Sequence, residues 1–289
     1  MFNKDVCNIC GSKKRRVKLK VYNRVYTLCL ECGLIYRFPL PQKVDIIKLY
    51  KNSKSTNLEI EEKRDIIYKE FLKEFKKIKP FYGKLLDVGC GYGTFIKIAN
   101  KSGWEVAGIE LSTDACEYIS KRLKLRVYNI DISDIDLIKE RFDLICMWNV
   151  LDHLIDPLGA LLKIKGLLEE NGVVYIRVPN FQYHYVAYRI GKILEQLINN
   201  DFAVKTTIFH IYCFTSKTLS LILKRAGFRK VHIRWSRPSY EDPYRIFSKF
   251  FRPMIPWIKN SIFLISKILF LFTQKRLLIS PSIEALAQI

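Results

Sequence analysis

The sequence predicts an α/β protein with a small metal-binding module at its N-terminus and a basic helical insertion near its C-terminus. Three observations carry that prediction. An apolar run, Leu85 to Val88, passes through a glycine-rich turn into a helix-like segment. Further apolar runs follow, each ending in a polar residue and separated by helix-like stretches. Ahead of them stand two C-x2-C pairs with 18 residues between them.

At 289 residues and 49% hydrophobic, the chain can bury a sizeable core, which excludes wholesale disorder. Its net charge of +21 is unevenly spread: +11 over residues 1–82, −2 over 83–180 and +12 over 181–289. A near-neutral centre between basic flanks suits a small-molecule site flanked by surfaces that face something anionic, either nucleic acid or an acidic membrane. The first residues hold no apolar run of signal-peptide length, so the expected location is cytoplasmic and disulfides are not expected.

From the N-terminus, residues 1–40 read as a zinc ribbon. Cys7, Cys10, Cys29 and Cys32 form two knuckles whose four thiolates complete a tetrahedron with no position left for chemistry, so a structural Zn2+ is expected. Gly11 and Gly33 follow the second cysteine of each knuckle, where a tight turn wants positive φ. The intervening "RRVKLKVYNRVYTL" has strand composition. Cys90, Cys116, Cys146 and Cys213 lie singly among apolar residues and read as small buried side chains.

Residues 41–82 read as a linker, marked by its prolines, and a helix. Ile66, Ile67, Phe71, Leu72, Phe75 and Ile78 fall at spacings of three and four, and Pro80 ends the pattern. Residues 83–242 form the core. In "KLLDVGCGYGTFIKIA" the alternate glycines Gly89, Gly91 and Gly93 let the backbone approach a ligand at a helix N-terminus. A dinucleotide fingerprint would place its third glycine at position 94, which is Thr94.

The spacing Asp-x-Gly-x-Gly-x-Gly from Asp87, with "WEVAGIELS", "LRVYNIDIS", "FDLICMWNVLDHLIDP", "LLEENGVVYIRVPN" and "HIYCFTSKTLSLILKRAGF" in that order, resembles the class I S-adenosylmethionine-dependent methyltransferases from about Leu85 to Phe228. The resemblance implies a Rossmann-like seven-stranded sheet in the order 3-2-1-4-5-7-6 with the last strand reversed, "KVHIRWS" and "SPSIEALAQI" supplying the final two. It implies S-adenosylmethionine as cofactor, held by Asp87, Gly89, Cys90, Gly91, Gly93, Glu110, Leu111, Asp131, Ile132 and Asn149. In that resemblance Glu110 accepts hydrogen bonds from the ribose hydroxyls and Asp131 stands at the adenine-amine acceptor. Asn149 and Asp152 replace the Asp and Glu of many relatives.

Methyl transfer from a sulfonium needs an aligned acceptor and, for a hydroxyl, a base. His153, just beyond strand four, is the first candidate and His210 the second. His184 reads as part of an aromatic cover at 181–209, and His232 as a strand residue. A zinc ribbon followed by Gly-Leu-Ile-Tyr-x-x-Pro-x-Pro resembles methyltransferases of sugar, glycan and lipid-linked glycan biosynthesis, which implies a small-molecule or lipid-linked glycan acceptor. Two alternatives remain open: an RNA methyltransferase using the basic ribbon, and a non-catalytic cofactor-binding scaffold.

Residues 243–280 have no acidic side chain, and their basic residues recur along one side of a helix. Pro256, Lys259, Asn260 and Lys267 interrupt any spanning run, so the expectation is peripheral contact with the inner face of an anionic membrane. Helices packed on the body of the protein or on a second copy fit the same pattern. Residues 281–289 then close the sheet as its final core strand.

Overall fold

The computed structural model describes residues 5–51, 65–80, 82–198, 207–236, 261, 264 and 280–289. The expected insertion at 243–280 therefore lies almost wholly outside the described residues. Part of the expected cover, 199–206, does so too. No helix among the described residues is long and apolar enough to cross a membrane.

Strands β1 (Arg15–Val21) and β2 (Arg24–Cys29) pair as an antiparallel hairpin, and β3 (Ile35–Arg37) adds to β2. Helices α1 (Lys43–Lys51) and α2 (Asp65–Ile78) follow, so residues 41–82 hold a second helix beyond the one the periodicity predicts. Helix α2 buries Ile67, Tyr68, Phe71, Leu72 and Phe75. Ile66 and Ile78 of the predicted stripe are instead 55% and 58% exposed, because the buried face centres on Phe71 and takes in Tyr68.

The main sheet alternates strands and helices: β4 (Lys84–Val88), α3 (Thr94–Lys101), β5 (Glu105–Ile109), α4 (Thr113–Tyr118), β6 (Arg126–Tyr128), β7 (Phe142–Trp148), α5 (Pro157–Gly166) and β8 (Leu168–Pro179). Helix α6 (Phe181–Ile198), the two-residue strand β9 (Tyr212–Cys213), α7 (Ser216–Arg225), β10 (Lys230–Trp235) and β11 (Ser282–Gln288) follow, and all but β9 belong to the main sheet and its flanking helices. The order of the main sheet is β10-β11-β8-β7-β4-β5-β6, with β11 antiparallel to both neighbours. That is the order and the reversal which the resemblance implies.

Period two explains why the central strands are buried on both faces. Leu85, Leu144, Cys146 and Trp148 pack toward α2 and α3, while Leu86, Val88, Ile145 and Met147 pack toward the opposite layer with α5 and α7. Phe71 of α2 closes the first layer, 4.1 Å from the Tyr175 ring and 5.3 Å from that of Trp148.

The ribbon is not a separate bead. Strand β9 pairs with β3, Ile35 opposite Cys213 and Tyr36 opposite Tyr212, so the ribbon sheet runs β1-β2-β3-β9. The Tyr26 hydroxyl donates to Phe209 O at 2.9 Å, and the Tyr36 and Tyr212 rings stack at 6.2 Å. Asn8, inside the first knuckle, donates to the Asp156 carboxylate at 2.8 Å and accepts from Leu158 N at 2.9 Å. Asp156 caps α5, so the N-terminal cysteine module grips the start of a core helix.

Candidate functional site

The carboxyl ends of β4, β5, β6 and β7 form one rim, the place where open α/β sheets bind ligands. At the end of β4, Asp87 is buried, and Gly89, Gly91 and Gly93 all take positive φ. A side chain at Gly89 would meet Val150 Cγ2 at 2.6 Å, so that turn admits only glycine. Cys90 is buried, and its sulfur fits because Gly108 of β5 offers no side chain; a Cβ there would lie 2.5 Å from it.

Glu110 follows β5 and ties the rim together. Its Oε1 accepts from Leu111 N at 2.8 Å and Ser112 N at 2.9 Å, and its Oε2 accepts from Gly91 N at 2.9 Å. Of about four acceptor positions on a carboxylate, three are filled by backbone. Asp131 caps the short helix at Ile132–Leu137 through Ser133 N at 2.7 Å, with Ile132 beside it. Burial works to raise its pKa, but Ser133 and Lys43 outweigh burial and lower it. Lys43 reaches it from α1 at 3.2 Å. Nothing in the sequence pairs those two residues.

Beyond β7 the chain turns through Asn149, at φ +57, into a short helix at Leu151–His153. Asp152 is 1% exposed and neither of its oxygens has a hydrogen-bond partner among the described residues. The Nε2 atoms of His153 and His210 both stand 3.7 Å from its Oδ2, and the two imidazole rings are 3.8 Å apart. Burial raises the Asp152 pKa. Burial, followed by the proximity of His153, drives His210 well below the ordinary histidine value. Both histidine candidates are thus brought together, and the carboxylate between them is the member that sequence reasoning left without a role.

His184 is buried. Its Nε2 lies 3.1 Å from Pro281 O and its Nδ1 accepts from Ile208 N at 3.3 Å, which fixes the neutral tautomer. Burial lowers its pKa from 6.5 to about 4. The unfolded chain therefore binds the proton more readily, and stability falls as pH drops from about 6.5 through 4. The expected loss is about 3 kcal/mol. Urea unfolding from pH 7.5 to 4 checks it: His184→Gln should flatten that part of the curve, and an unchanged slope would refute the assignment.

Two groups of side chains have metal-binding geometry among the described residues: Cys7, Cys10, Cys29 and Cys32, and Asp152, His153 and His210. In the first, Cys7 and Cys32 sulfurs lie 3.4 Å apart and Cys10 and Cys29 sulfurs 3.5 Å. Zinc–thiolate bonds of about 2.3 Å in a tetrahedron separate sulfurs by about 3.8 Å, so the donor set fits zinc after a small expansion. The hydrogen bond between Cys7 and Cys32 lowers the Cys7 pKa and raises that of Cys32.

A family model described as "Methyltransferase domain" matches residues 60–233, more than half of the chain. The chain is 31% identical over 116 residues to a ubiquinone biosynthesis O-methyltransferase of Actinobacillus pleuropneumoniae serotype 5b (strain L20), covering 36% of this chain and 50% of that one. A protein of the same name from Hydrogenovibrio crunogenus is 26% identical over 164 residues, covering 55% of this chain and 66% of the other. The chain thus spans about half the length of the first of these curated relatives. Among solved structures, a SAM-dependent methyltransferase from Archaeoglobus fulgidus superposes with a TM-score of 0.52 at 19% identity, covering 81% of this chain and all of that one. That likeness bears on the fold.

Proposed function

The chain belongs to the methyltransferase domain family, and from that premise we propose that it is an S-adenosylmethionine-dependent methyltransferase acting on a hydroxyl of a sugar, glycan or lipid-linked acceptor. The observation that carries the reading is the rim: a glycine turn, Glu110 and Asp131 at the ends of adjacent parallel strands, with Asp152, His153 and His210 beyond the next strand.

The sulfonium cofactor supplies an already activated methyl group. Asp87, Gly89, Cys90, Gly91, Gly93, Glu110, Leu111, Asp131, Ile132 and Asn149 are the residues proposed to hold it. Glu110 can take both ribose hydroxyls only if one of its three backbone donors is released, and Gly91 N is the sole donor on Oε2. His153 is proposed to take the acceptor proton on its imidazole, with the Asp152 charge stabilising the imidazolium and His210 staying neutral beside it. The Cys7, Cys10, Cys29 and Cys32 site is proposed to hold a structural zinc.

His153→Asn is expected to leave cofactor binding intact and slow turnover by about 10²–10⁴-fold. Unchanged turnover would make His153 structural. The same three side chains offer a divalent-cation site, so the assay is run with and without chelator. Loss of rate on chelation that added metal restores would assign them to metal binding instead.

The acceptor is tested with labelled cofactor against separated lipid, glycan and RNA fractions. Label in the glycan or lipid fraction supports the reading. Label confined to RNA would replace it with the RNA methyltransferase, whose binding would weaken steeply with salt. A peripheral membrane position belongs to the same proposal, resting on the basic residues of 243–280. In liposome sedimentation, binding should rise with anionic lipid and fall with salt. Failure to bind any liposome would remove the membrane from the proposal.

A further inference from the structure

Strand β8 carries an arginine in an otherwise apolar run, "VVYIRVPN". Arg177 is 5% exposed and brings a guanidinium cation into the sheet. Burying such a charge is costly by several kcal/mol unless it is paired. Its hydrogen bonds among the described residues go to two neutral groups, from Nε to Ser236 Oγ at 2.7 Å and from Nη1 to Asn149 Oδ1 at 3.0 Å. Asp152 lies within its electrostatic reach but forms no ion pair with it.

The nearby Arg234 shows what compensation looks like in the same fold. On β10 it meets the carboxylates of both Glu284 and Glu74, the latter at 3.0 Å. Among the described residues Arg177 receives no comparable carboxylate contact. Here Asn149 donates its own N–H to Arg177 O at 2.8 Å and turns a neutral amide oxygen toward the guanidinium. The Nη2 group makes no hydrogen bond among the described residues, so its N–H donors are the ones left to meet an oxyanion beside the Nη1 contact to Asn149.

We propose that Arg177, with Asn149 and Ser236, forms an oxyanion subsite beside the methyl-transfer position, and that the acceptor carries a carboxylate or phosphate which binds there. The proposal rests on the methyltransferase reading, since Asn149 forms the turn between β7 and the short helix that bears His153. The ligand's negative charge complements a cation that forms no ion pair among the described residues. A carboxylated small molecule and a phosphate, free or lipid-linked, share this chemistry.

The test uses the full chain in a phosphate-free buffer. Calorimetry with S-adenosylhomocysteine comes first; absence of binding would remove the methyltransferase reading. Inorganic phosphate and benzoate are then titrated with and without that ligand, alongside vesicles of phosphatidylcholine with and without phosphatidic acid. Wild type should bind at least one of these anions. Arg177→Gln should weaken that binding at least tenfold, and Asn149→Asp, which supplies the missing carboxylate, should do the same while raising the melting temperature. Lys139→Gln, which removes an exposed charge, should change affinity less than twofold. Preference for benzoate assigns a carboxylate, for phosphate a free phosphate, and for phosphatidic acid a lipid phosphate. Wild type that binds S-adenosylhomocysteine but no anion would overturn the subsite and leave the family reading intact. Equal anion affinity in wild type and Asn149→Asp would overturn it even if Arg177→Gln fails to fold.

Discussion

Replacing Cys29 by Ser is expected to empty the proposed zinc site, melt the ribbon and disable methyl transfer while the main sheet stays folded. Zinc binding to four thiolates is worth about 10–16 kcal/mol in small structural sites, and the site does not exist in the unfolded chain. Two of the four strands of the ribbon sheet, β3 and β9, are short, and its core draws on the cysteines themselves: Cys7, Cys29 and Cys32 pack with Ile9, Leu34 and Tyr36. Two connections carry the damage onward. Strand β9 loses β3 as its partner, which frees the segment bearing His210, and Asn8 leaves Asp156 at the start of α5. Hydrogen exchange should show protection lost in residues 15–37 and 212–213 but kept in β4, β7 and β8. Elemental analysis finding no zinc in freshly purified wild-type protein would defeat the assignment. Protection of residues 212–213 surviving in the variant would defeat the coupling.

Glu110→Ala should weaken S-adenosylmethionine binding by about 1–3 kcal/mol, the scale of losing charge-assisted hydrogen bonds, or roughly 5- to 150-fold. The carboxylate acts twice: as the proposed partner of the ribose, and as the acceptor that holds Gly91, Leu111 and Ser112 N–H groups in place. Alanine leaves all three donors to water and loosens the glycine turn, so preorganisation is lost together with the contact. Glu110→Gln separates the two effects, since an amide oxygen still accepts but carries no charge. An intermediate loss is expected for it. Unchanged affinity for the alanine variant, measured by calorimetry, would sink the cofactor assignment.

Much of this architecture was legible because its signals are local. The two cysteine knuckles, the glycine turn after Leu85–Val88 and the apolar strands each declare themselves within a dozen residues, and Gly11 and Gly33 take the positive φ that their positions require. The α2 stripe was legible only in part. Periodicity marks a face, but which edge of it is buried depends on what lies opposite, here Trp148 and Tyr175.

By itself the sequence determined the pairing of the four-cysteine cluster, the glycine turn after the first core strand and, through the family likeness, the strand order that the structure adopts. Only the tertiary structure decided which side chains meet. A two-residue strand such as β9 has no periodicity to read; it joins the ribbon because Tyr212 stacks on Tyr36 and donates its hydroxyl to Ile155 O at 3.0 Å. Lys43 and Asp131, Asp152 and His210, and Arg177 and Asn149 are likewise long-range pairs. Strand and helix preferences are set by neighbours along the chain. The charge environment of a buried residue is set by elements that pack from far away, so an unpaired carboxylate or guanidinium becomes visible only once the fold has closed around it.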